Sequence, residues 1–330
     1  MAGMIDETLV QGAVWLGILI AAIALLRIIF HATNTFLTSQ LGRFAAWRPV
    51  FADRYRASPT VVRLQRSAPR LVAFLHARVD TGRPSGWPLS VAIALIFGLS
   101  LWFVEIAEDV VREPAMQALD DTILAALSGA ASGPVVYLFY WVTGLGGNAA
   151  LASAAVATWA ILWASGKKHL VLGLWATALG SQGTLWLAKF TFDRARPEFL
   201  TDVTASSPSF PSGHTTGAMA IYGFIGYAVA SLSTNPRSRS EIVFWTSLAI
   251  AMVGLSRIAL HVHYPSDVLG GFLVGGLWLV VGIVVARWRL ERHGRARETT
   301  GSTESGFAST TLRNRRRDAD AGDISTAPPR

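Results

Sequence analysis

The apolar positions of this chain are grouped into long uncharged runs and do not alternate with polar positions. Each run is about 19 residues long, close to the roughly 20 apolar residues with which a helix crosses the hydrocarbon core of a bilayer. The runs occupy residues 8–26, 86–104, 170–188, 215–233 and 268–286. The pattern predicts an all-α, polytopic membrane helical bundle.

The polar segments between the runs predict the topology. Residues 1–30 are expected to form an N-terminal transmembrane helix, retained because the acidic start lacks the basic stretch of a signal peptide. Residues 31–86 carry nine arginines against two aspartates. Because cytoplasmic loops collect Arg and Lys, this segment is expected to be a basic cytoplasmic connector with amphipathic helices.

Residues 87–287 are expected to form the main membrane domain, with six spans. The difficult part is residues 122–166, which carry no charge but several glycines. We expect an interfacial or re-entrant piece at 116–145 and a span at 147–166, which leaves open an extra span here. Further spans are expected at 170–190, 213–231, 242–260 and 267–287. The tail, residues 288–330, is rich in Arg, Ser, Thr and Gly and is expected to be disordered and cytoplasmic.

Composition supports a membrane protein and narrows the chemistry. The chain is 52% hydrophobic and only 15% charged, which is unlike a soluble domain. The net charge of +8 does not indicate a nucleic-acid partner, because no basic patch is interleaved with exposed aromatic residues. The absence of cysteine excludes disulfides, thiolate catalysis and Cys-ligated metals.

Three polar motifs lie at the predicted outer ends of the spans, where polar residues are costly and therefore indicate function. The first runs from Lys189 to Arg196-Pro197, and the second is Pro211-Ser212-Gly213-His214. The third is Ser256-Arg257, five residues, His263, three residues and Asp267. The topology places all three motifs on one face of the membrane.

The first two motifs, with Arg257, are suited to binding phosphate. Lys189, Arg196 and Arg257 supply cations, and the guanidinium of Arg binds phosphate oxygens through a planar fork of donors. Ser212 and Gly213 precede a predicted helix, whose first N–H groups attract anions.

The remaining residues are suited to catalysis. A carboxylate at Asp267 can orient His263 and leave its second ring nitrogen free as a base or nucleophile, while His214 can act as a general acid. Each motif alone has a simpler explanation, namely a positive membrane flank, a capped helix start or an interfacial histidine, as we expect for His261. The three motifs together, in order and separated by spans, favour a phosphate site.

These residues resemble the signature of the type 2 phosphatidic acid phosphatase (lipid phosphate phosphatase) family, in the superfamily that includes vanadium haloperoxidases. The resemblance covers roughly residues 87–287. It implies a six-span core and a metal-free hydrolysis, without cofactors, of a lipid phosphate. In it His263 becomes a phosphohistidine, Asp267 orients it and His214 protonates the leaving oxygen. The cationic residues, Ser212 and Gly213 bind the phosphoryl oxygens.

The sequence leaves the substrate open among undecaprenyl diphosphate, phosphatidic acid, phosphatidylglycerol phosphate and a lipid A phosphate. Phosphotransfer to a lipid or sugar acceptor is an alternative, and a vanadate-dependent haloperoxidase or a non-hydrolytic binding or transport protein is a weaker one. The expected location is a bacterial inner membrane with the site facing the periplasm. The oligomeric state is left open.

Overall fold

The computed structural model describes residues 17–40, 42–43, 58–79, 86–127, 134–197 and 207–292. Within these ranges the regular structure is helical, without strands. Six helices are long and apolar enough to cross a membrane, including one near the N-terminus. The predicted all-α, polytopic membrane bundle is confirmed.

The helices follow the predicted runs but extend beyond several of them. Their bounds are α1 Gly17–Gln40, α2 Pro59–Ser67, α3 Pro69–Val79, α4 Trp87–Arg112, α5 Pro114–Leu127, α6 Pro134–Leu145, α7 Asn148–Ala164, α8 Lys168–Phe192, α9 Gly213–Leu232, α10 Pro236–Ala259 and α11 Pro265–Arg292. The disordered tail was predicted to begin at residue 288, but residues 288–292 are the end of α11. The rest of the predicted tail lies outside the described residues.

Helix α1 continues past residue 30, the predicted end of the first span. Polar contacts with α10 accompany this extension. Arg27 donates to Glu241 at 2.6 Å, and Asn34 donates to the Ser240 hydroxyl at 2.9 Å. Phe30 also lies 5.4 Å from the ring of Phe244. Helix α1 therefore contacts the beginning of α10.

Helices α5, α6 and α7 contain most of the described part of the uncharged region before α8. Helices α5 and α6 have 14 and 12 residues, and each is shorter than the roughly 20 residues that a span needs. Residues Val136–Leu145 of α6 meet α7 at a bend of 44°, and together the two are long and apolar enough to count as a broken span or a re-entrant loop. The predicted division near residue 146 coincides with this bend.

Helices α8, α9 and α11 approach one another closely at glycines. A Cβ on Gly173 of α8 would lie 2.6 Å from the carbonyl oxygen of Gly282 in α11. A Cβ on Gly275 of α11 would lie 2.6 Å from the carbonyl oxygen of Thr216 in α9. Small residues at such crossings let helix backbones pack closely in membranes. The close packing brings the beginnings of α9 and α11 together.

The loops that follow α8 and α10 meet at one end of this bundle. The Ser212 N–H at the start of α9 donates to the Asp267 carbonyl in α11 at 2.9 Å. Arg196, after α8, donates to the Val262 carbonyl, after α10, at 2.8 Å. These bonds join the three motifs identified in the sequence.

Candidate active site

The centre of the site is the pair formed by His263 and Asp267. Nδ1 of His263 lies 3.2 Å from Oδ2 of Asp267. His263 occupies the loop between α10 and α11, whereas Asp267 lies in the first turn of α11. Both side chains are buried. The four-residue spacing places the carboxylate beside the ring, as the sequence predicted.

Asp267 accepts hydrogen bonds at both carboxylate oxygens. Oδ2 accepts from the Ser209 hydroxyl and, at 2.9 Å, from the Tyr264 backbone N–H. Oδ1 accepts from Nη1 of Arg194 at 2.6 Å. These donors satisfy a buried carboxylate that would otherwise be costly. They also fix the plane of the carboxylate relative to the imidazole of His263.

The other ring nitrogen of His263 faces a cation. Nη1 of Arg196 lies 3.1 Å from Nε2 of His263. Burial, opposed by the neighbouring Asp267, lowers the pKa of His263 to about 4. The ring is therefore neutral at neutral pH, which is the form that can act as a nucleophile.

The first motif brings two of the predicted cations to the site. Lys189, in the last turn of α8, is buried, and its Nζ donates to the carbonyl of Pro208. Arg196 is fixed through Nε, which donates to the Ser207 carbonyl at 2.8 Å, as well as through its contacts with Val262 and His263. Both residues follow or end α8, so one helix positions them together.

Arg257, near the end of α10, supplies the third cation. Its Nη1 donates to the hydroxyl of Thr143 in α6. Its Nε is buried without a hydrogen-bond partner. A buried guanidinium donor is costly to leave unpaired, so this nitrogen is suited to receive an oxygen of a bound anion.

The second motif forms the beginning of α9. The Ser212 side chain is buried, and its Oγ accepts from Thr215 at 3.1 Å. Because α9 begins at Gly213, the N–H groups of its first turn have no carbonyl partner within the helix. Such a helix start binds anions, so the predicted role of Ser212 and Gly213 is chemically reasonable.

His214 lies in the same first turn and packs against the bend between α6 and α7. A Cβ on Gly146 would lie 3.0 Å from Cβ and 3.1 Å from Cδ2 of His214. It would also lie 2.6 Å from Cγ1 of Val253. Only glycine therefore leaves room for His214 at this point.

Four further residues contribute to the site without having been predicted. Ser209 and Arg194 contact Asp267, Thr143 contacts Arg257, and Asp120 of α5 accepts from Arg194 at 2.8 Å. Asp120 carried one detectable signal, since it is an acidic residue beside a long uncharged segment. Thr143 carried none, because hydroxyl side chains are common in membrane helices.

The ring nitrogens of His261 contact backbone carbonyl oxygens. Its Nε2 lies 3.0 Å from the carbonyl oxygen of Leu124 in α5. Within the described part of the chain, no group of three or more His, Cys, Asp or Glu side chains is arranged to hold a metal ion. The chemical groups gathered at the site are thus a neutral histidine, a carboxylate and several cations.

Comparison with known proteins identifies the region that carries the site. Residues 169–291 match the PAP2 superfamily. Phosphatidylglycerophosphatase B of Bacillus subtilis (strain 168) is 39% identical over 84 residues, covering 25% of this chain and 41% of that protein. Undecaprenyl-diphosphatase BcrC of the same organism is 37% identical over 84 residues, covering 26% of this chain and 37% of that protein. The chain thus spans about two fifths of the length of these curated relatives.

A solved structure shares the fold over a longer stretch. The crystal structure of a transmembrane PAP2-type phosphatidylglycerolphosphate phosphatase from Bacillus subtilis is 27% identical, with a TM-score of 0.53. The similarity covers 57% of this chain and 93% of that one. Over the matched part of the chain, the membrane fold is therefore similar to that of the solved structure.

Proposed function

Because residues 169–291 of this chain match the PAP2 superfamily, we propose that the protein is a membrane phosphatase that hydrolyses a lipid phosphate or pyrophosphate. The observation that carries the proposal is the arrangement around His263. The ring is buried between Asp267 at Nδ1 and Arg196 at Nε2. This arrangement is suited to a nucleophilic histidine that attacks the phosphorus atom of a phosphoryl group whose oxygens are bound by cationic side chains.

The proposed first step is transfer of the phosphoryl group to His263. Nε2 attacks phosphorus, the bond between phosphorus and the leaving oxygen breaks, and a protonated His214 gives its proton to that oxygen. The N–H of Nδ1 stays hydrogen-bonded to Asp267, which stabilises the positive charge that develops on the ring. In the second step water attacks phosphorus, His214 takes a proton from the water, and the bond to Nε2 breaks.

The phosphoryl oxygens are bound by Lys189, Arg196 and Arg257, together with Ser212 and the first N–H groups of α9. Positive charge fixed in place before the reaction stabilises the negative charge that moves toward the leaving oxygen. The free Nε of Arg257 and the helix start at Gly213 supply donors that the protein itself leaves unused. No resident cofactor is part of this scheme.

A lipid substrate is favoured over a soluble one by the surroundings of the site. A groove of about 440 Å³ lies between α4 and α8. Five of its lining residues are apolar and three are polar or charged, namely Phe103, Val104, Ala107, Val111 and Phe192 beside Glu108, Arg112 and Thr191. Phe192 directly precedes the loop that carries Arg194 and Arg196. Two curated relatives are named for lipid substrates, phosphatidylglycerophosphate and undecaprenyl diphosphate. A largely apolar groove at the end of α8, the helix that leads to Arg196, suits a substrate with hydrocarbon chains.

We place the site on the periplasmic side of a bacterial inner membrane. Lys167 directly precedes α8 and Lys168 begins it, and Arg237 and Arg239 lie in the first turn of α10. Helices α8 and α10 both begin with basic residues and both finish at the site. The basic residues and the site therefore lie at opposite ends of these two helices. Excess positive charge marks the cytoplasmic side.

The test is phosphate release by the detergent-purified protein in the presence of EDTA. The panel comprises phosphatidylglycerol phosphate, undecaprenyl diphosphate, phosphatidic acid and a lipid A phosphate, each assayed beside His263→Ala. We expect EDTA-resistant release from at least one lipid and none from the variant. Activity that EDTA removes, or that survives in His263→Ala, would contradict the proposed chemistry.

Phosphotransfer is tested by the same preparation. If the wild-type protein forms a phosphohistidine from a lipid but releases little phosphate, lipid and sugar acceptors are added in turn. Faster turnover with an acceptor would replace hydrolysis by phosphotransfer as the function.

A further inference from the structure

Arg194 lies between Lys189 and Arg196 in the sequence, yet its guanidinium does not join the other cations. Nη1 donates to Asp267 at 2.6 Å and to the Ser266 hydroxyl at 2.8 Å. Nη2 donates to Gln117 at 2.9 Å and to Asp120 at 2.8 Å. The side chain is 8% exposed. Both terminal nitrogens are therefore engaged within the protein and are not available to bind a phosphoryl group.

Asp120 lies on α5, outside the residues that match the superfamily. Its side chain is fully buried. Besides Arg194, it accepts hydrogen bonds from the backbone N–H of Ser266 at 3.0 Å and from the Ser266 hydroxyl. Ser266 directly precedes Asp267 in the first turn of α11. Asp120 therefore contacts both the arginine that holds Asp267 and the residue next to Asp267.

The way in which Arg194 contacts Asp267 depends on these partners. An arginine facing a carboxylate commonly binds both of its oxygens through two nitrogens. Here Asp120 and Gln117 engage Nη2, so Arg194 reaches Asp267 through Nη1 and only at Oδ1. Oδ2 remains opposite Nδ1 of His263.

We propose that Asp120 is a positioning residue for the reaction, which holds Arg194 so that Asp267 keeps Oδ2 directed at His263. This inference rests on the proposed phosphatase function. Without the negative charge of Asp120, Arg194 is attracted to Asp267 alone and can bind both of its oxygens. The carboxylate of Asp267 then rotates, or its negative charge is divided between Arg194 and His263. In either case Asp267 stabilises less of the positive charge that develops on His263 during attack.

The first test compares Asp120→Asn with the wild-type protein. We expect kcat to fall by roughly ten- to hundredfold, by analogy with the loss of an outer hydrogen-bond partner of a metal-bound histidine. We expect KM and the inhibition constant of inorganic phosphate to change little, because Asp120 contacts no phosphate-binding residue. A loss of kcat that comes with equally weakened phosphate inhibition would overturn the inference, as would an unchanged kcat.

Asp121→Asn is the matched control. Asp121 is exposed and follows Asp120 on the same helix, and its Oδ1 accepts from Gln117 at 3.0 Å, which an Asn oxygen can replace. We expect this variant to keep the wild-type kcat. A loss equal to that of Asp120→Asn would show a general effect of charge on α5 and would overturn the specific role.

A double-mutant cycle tests whether Asp120 acts through Arg194. Arg194→Gln removes the guanidinium, and the double variant Asp120→Asn with Arg194→Gln removes both charges. If Asp120 acts by holding Arg194, the double variant loses no more kcat than Arg194→Gln alone. Losses that multiply would show that Asp120 acts independently, for example through Ser266.

A third variant covers the case in which Asp120→Asn does not fold. Gln117→Ala removes one contact to Nη2 of Arg194, together with the exposed contact to Asp121 that the Asp121→Asn control addresses, and leaves both charges in place. We expect a smaller loss of kcat, again with little change in KM, and an unchanged kcat would overturn the inference.

Failure of the proposed function is distinguishable from failure of the positioning role, because a wild-type protein without phosphate release refutes the proposed function. An active wild type with a fully active Asp120→Asn refutes only the positioning role.

Discussion

Nη1 of Arg196 lies 3.1 Å from Nε2 of His263, on the side of the imidazole ring opposite Asp267. Arginine has donors and no acceptor, so Nε2 must be the acceptor and Nδ1 must carry the proton toward Asp267. The contact therefore selects one neutral tautomer, with its lone pair directed at the guanidinium. A phosphoryl oxygen that binds Arg196 is thereby placed beside this lone pair.

The same geometry gives a prediction for the protonation of His263. Burial lowers its pKa to about 4 from an ordinary value of 6.5, and Asp267 offsets only part of this effect. The ring should stay neutral as the pH falls below 6.5 and gain a proton only as the pH falls through about 4. Because the protonated ring has no lone pair at Nε2, attack on phosphorus should be lost over that acidic range.

The measurement is NMR of the detergent-solubilised protein labelled with ¹⁵N-histidine, and His263→Ala identifies the resonances of His263. A titration midpoint near 6.5 would contradict the buried, neutral ring. The unfolded chain takes up this proton near 6.5 and the folded chain near 4. The free energy of unfolding should therefore also decrease as the pH falls through this interval.

Much of the fold followed from the lengths of the uncharged runs, because a bilayer requires helices of a particular length and composition. The order of the spans after residue 168 was predictable from the basic residues in the predicted cytoplasmic loops between them, namely Lys167, Lys168, Arg237 and Arg239. The end of α1 was not predictable. Residues 31–40 contain neither Gly nor Pro, and no break in the sequence pattern marks residue 30 as the end of a helix.

The site was predictable where its residues form compact motifs with recognisable chemistry. The structure brings Lys189, Arg196, Ser212, Gly213, His214, Arg257, His263 and Asp267 to one end of the bundle. Asp120 and Thr143 could not be assigned, because each contacts its partner across a long sequence separation. Their contribution depends on how α5 and α6 pack, which local sequence patterns do not determine.

Thr143 should support the phosphate-binding role of Arg257. Thr143→Val removes the hydroxyl that accepts from Nη1 of Arg257 and keeps a similar side-chain volume. Losing a hydrogen bond to a charged group costs about 1.5 kcal/mol or more, so inhibition by inorganic phosphate should weaken about tenfold. The measurement is the inhibition constant of phosphate in the lipid assay.

Thr122→Val is the control for this change. Thr122 is exposed, and its hydroxyl donates to the Ala118 carbonyl within its own helix. It should leave phosphate inhibition unaltered. Equal weakening in both variants would mean that Thr143 has no specific effect on Arg257.

Gly146 should be required for the position of His214. In Gly146→Ala the new Cβ would lie 2.6 Å from Val253 and 3.0 Å from Cβ of His214, so one of these neighbours must move. Displacing a catalytic group by about 1 Å can lower the rate about a hundredfold. If His214 protonates the leaving oxygen, kcat should fall more for an alkyl phosphate than for an aryl phosphate, whose oxygen leaves more easily.

Gly144→Ala serves as the comparison, because a Cβ at Gly144 meets nothing within 4 Å. It should retain the wild-type rate with both substrates. A Gly146→Ala protein that loses the same fraction of its rate with alkyl and aryl phosphates would argue against His214 as the general acid.

His261 and His263 are close in sequence, but their surroundings predict different roles. His261 has a φ of 52°, and its Nε2 lies 3.0 Å from the Leu124 carbonyl, so this nitrogen donates and has no lone pair to offer. His261→Asn should keep most of the activity, since Asn tolerates a left-handed backbone better than most residues.

His263→Asn should form no phosphohistidine, because an amide is not a nucleophile toward phosphorus. Rapid quenching with ³²P-labelled lipid measures the phosphoenzyme directly. Label that persists in His263→Asn but disappears in His261→Asn would move the nucleophile to His261, whose ring nitrogens contact the carbonyls of Leu124 and Ala259.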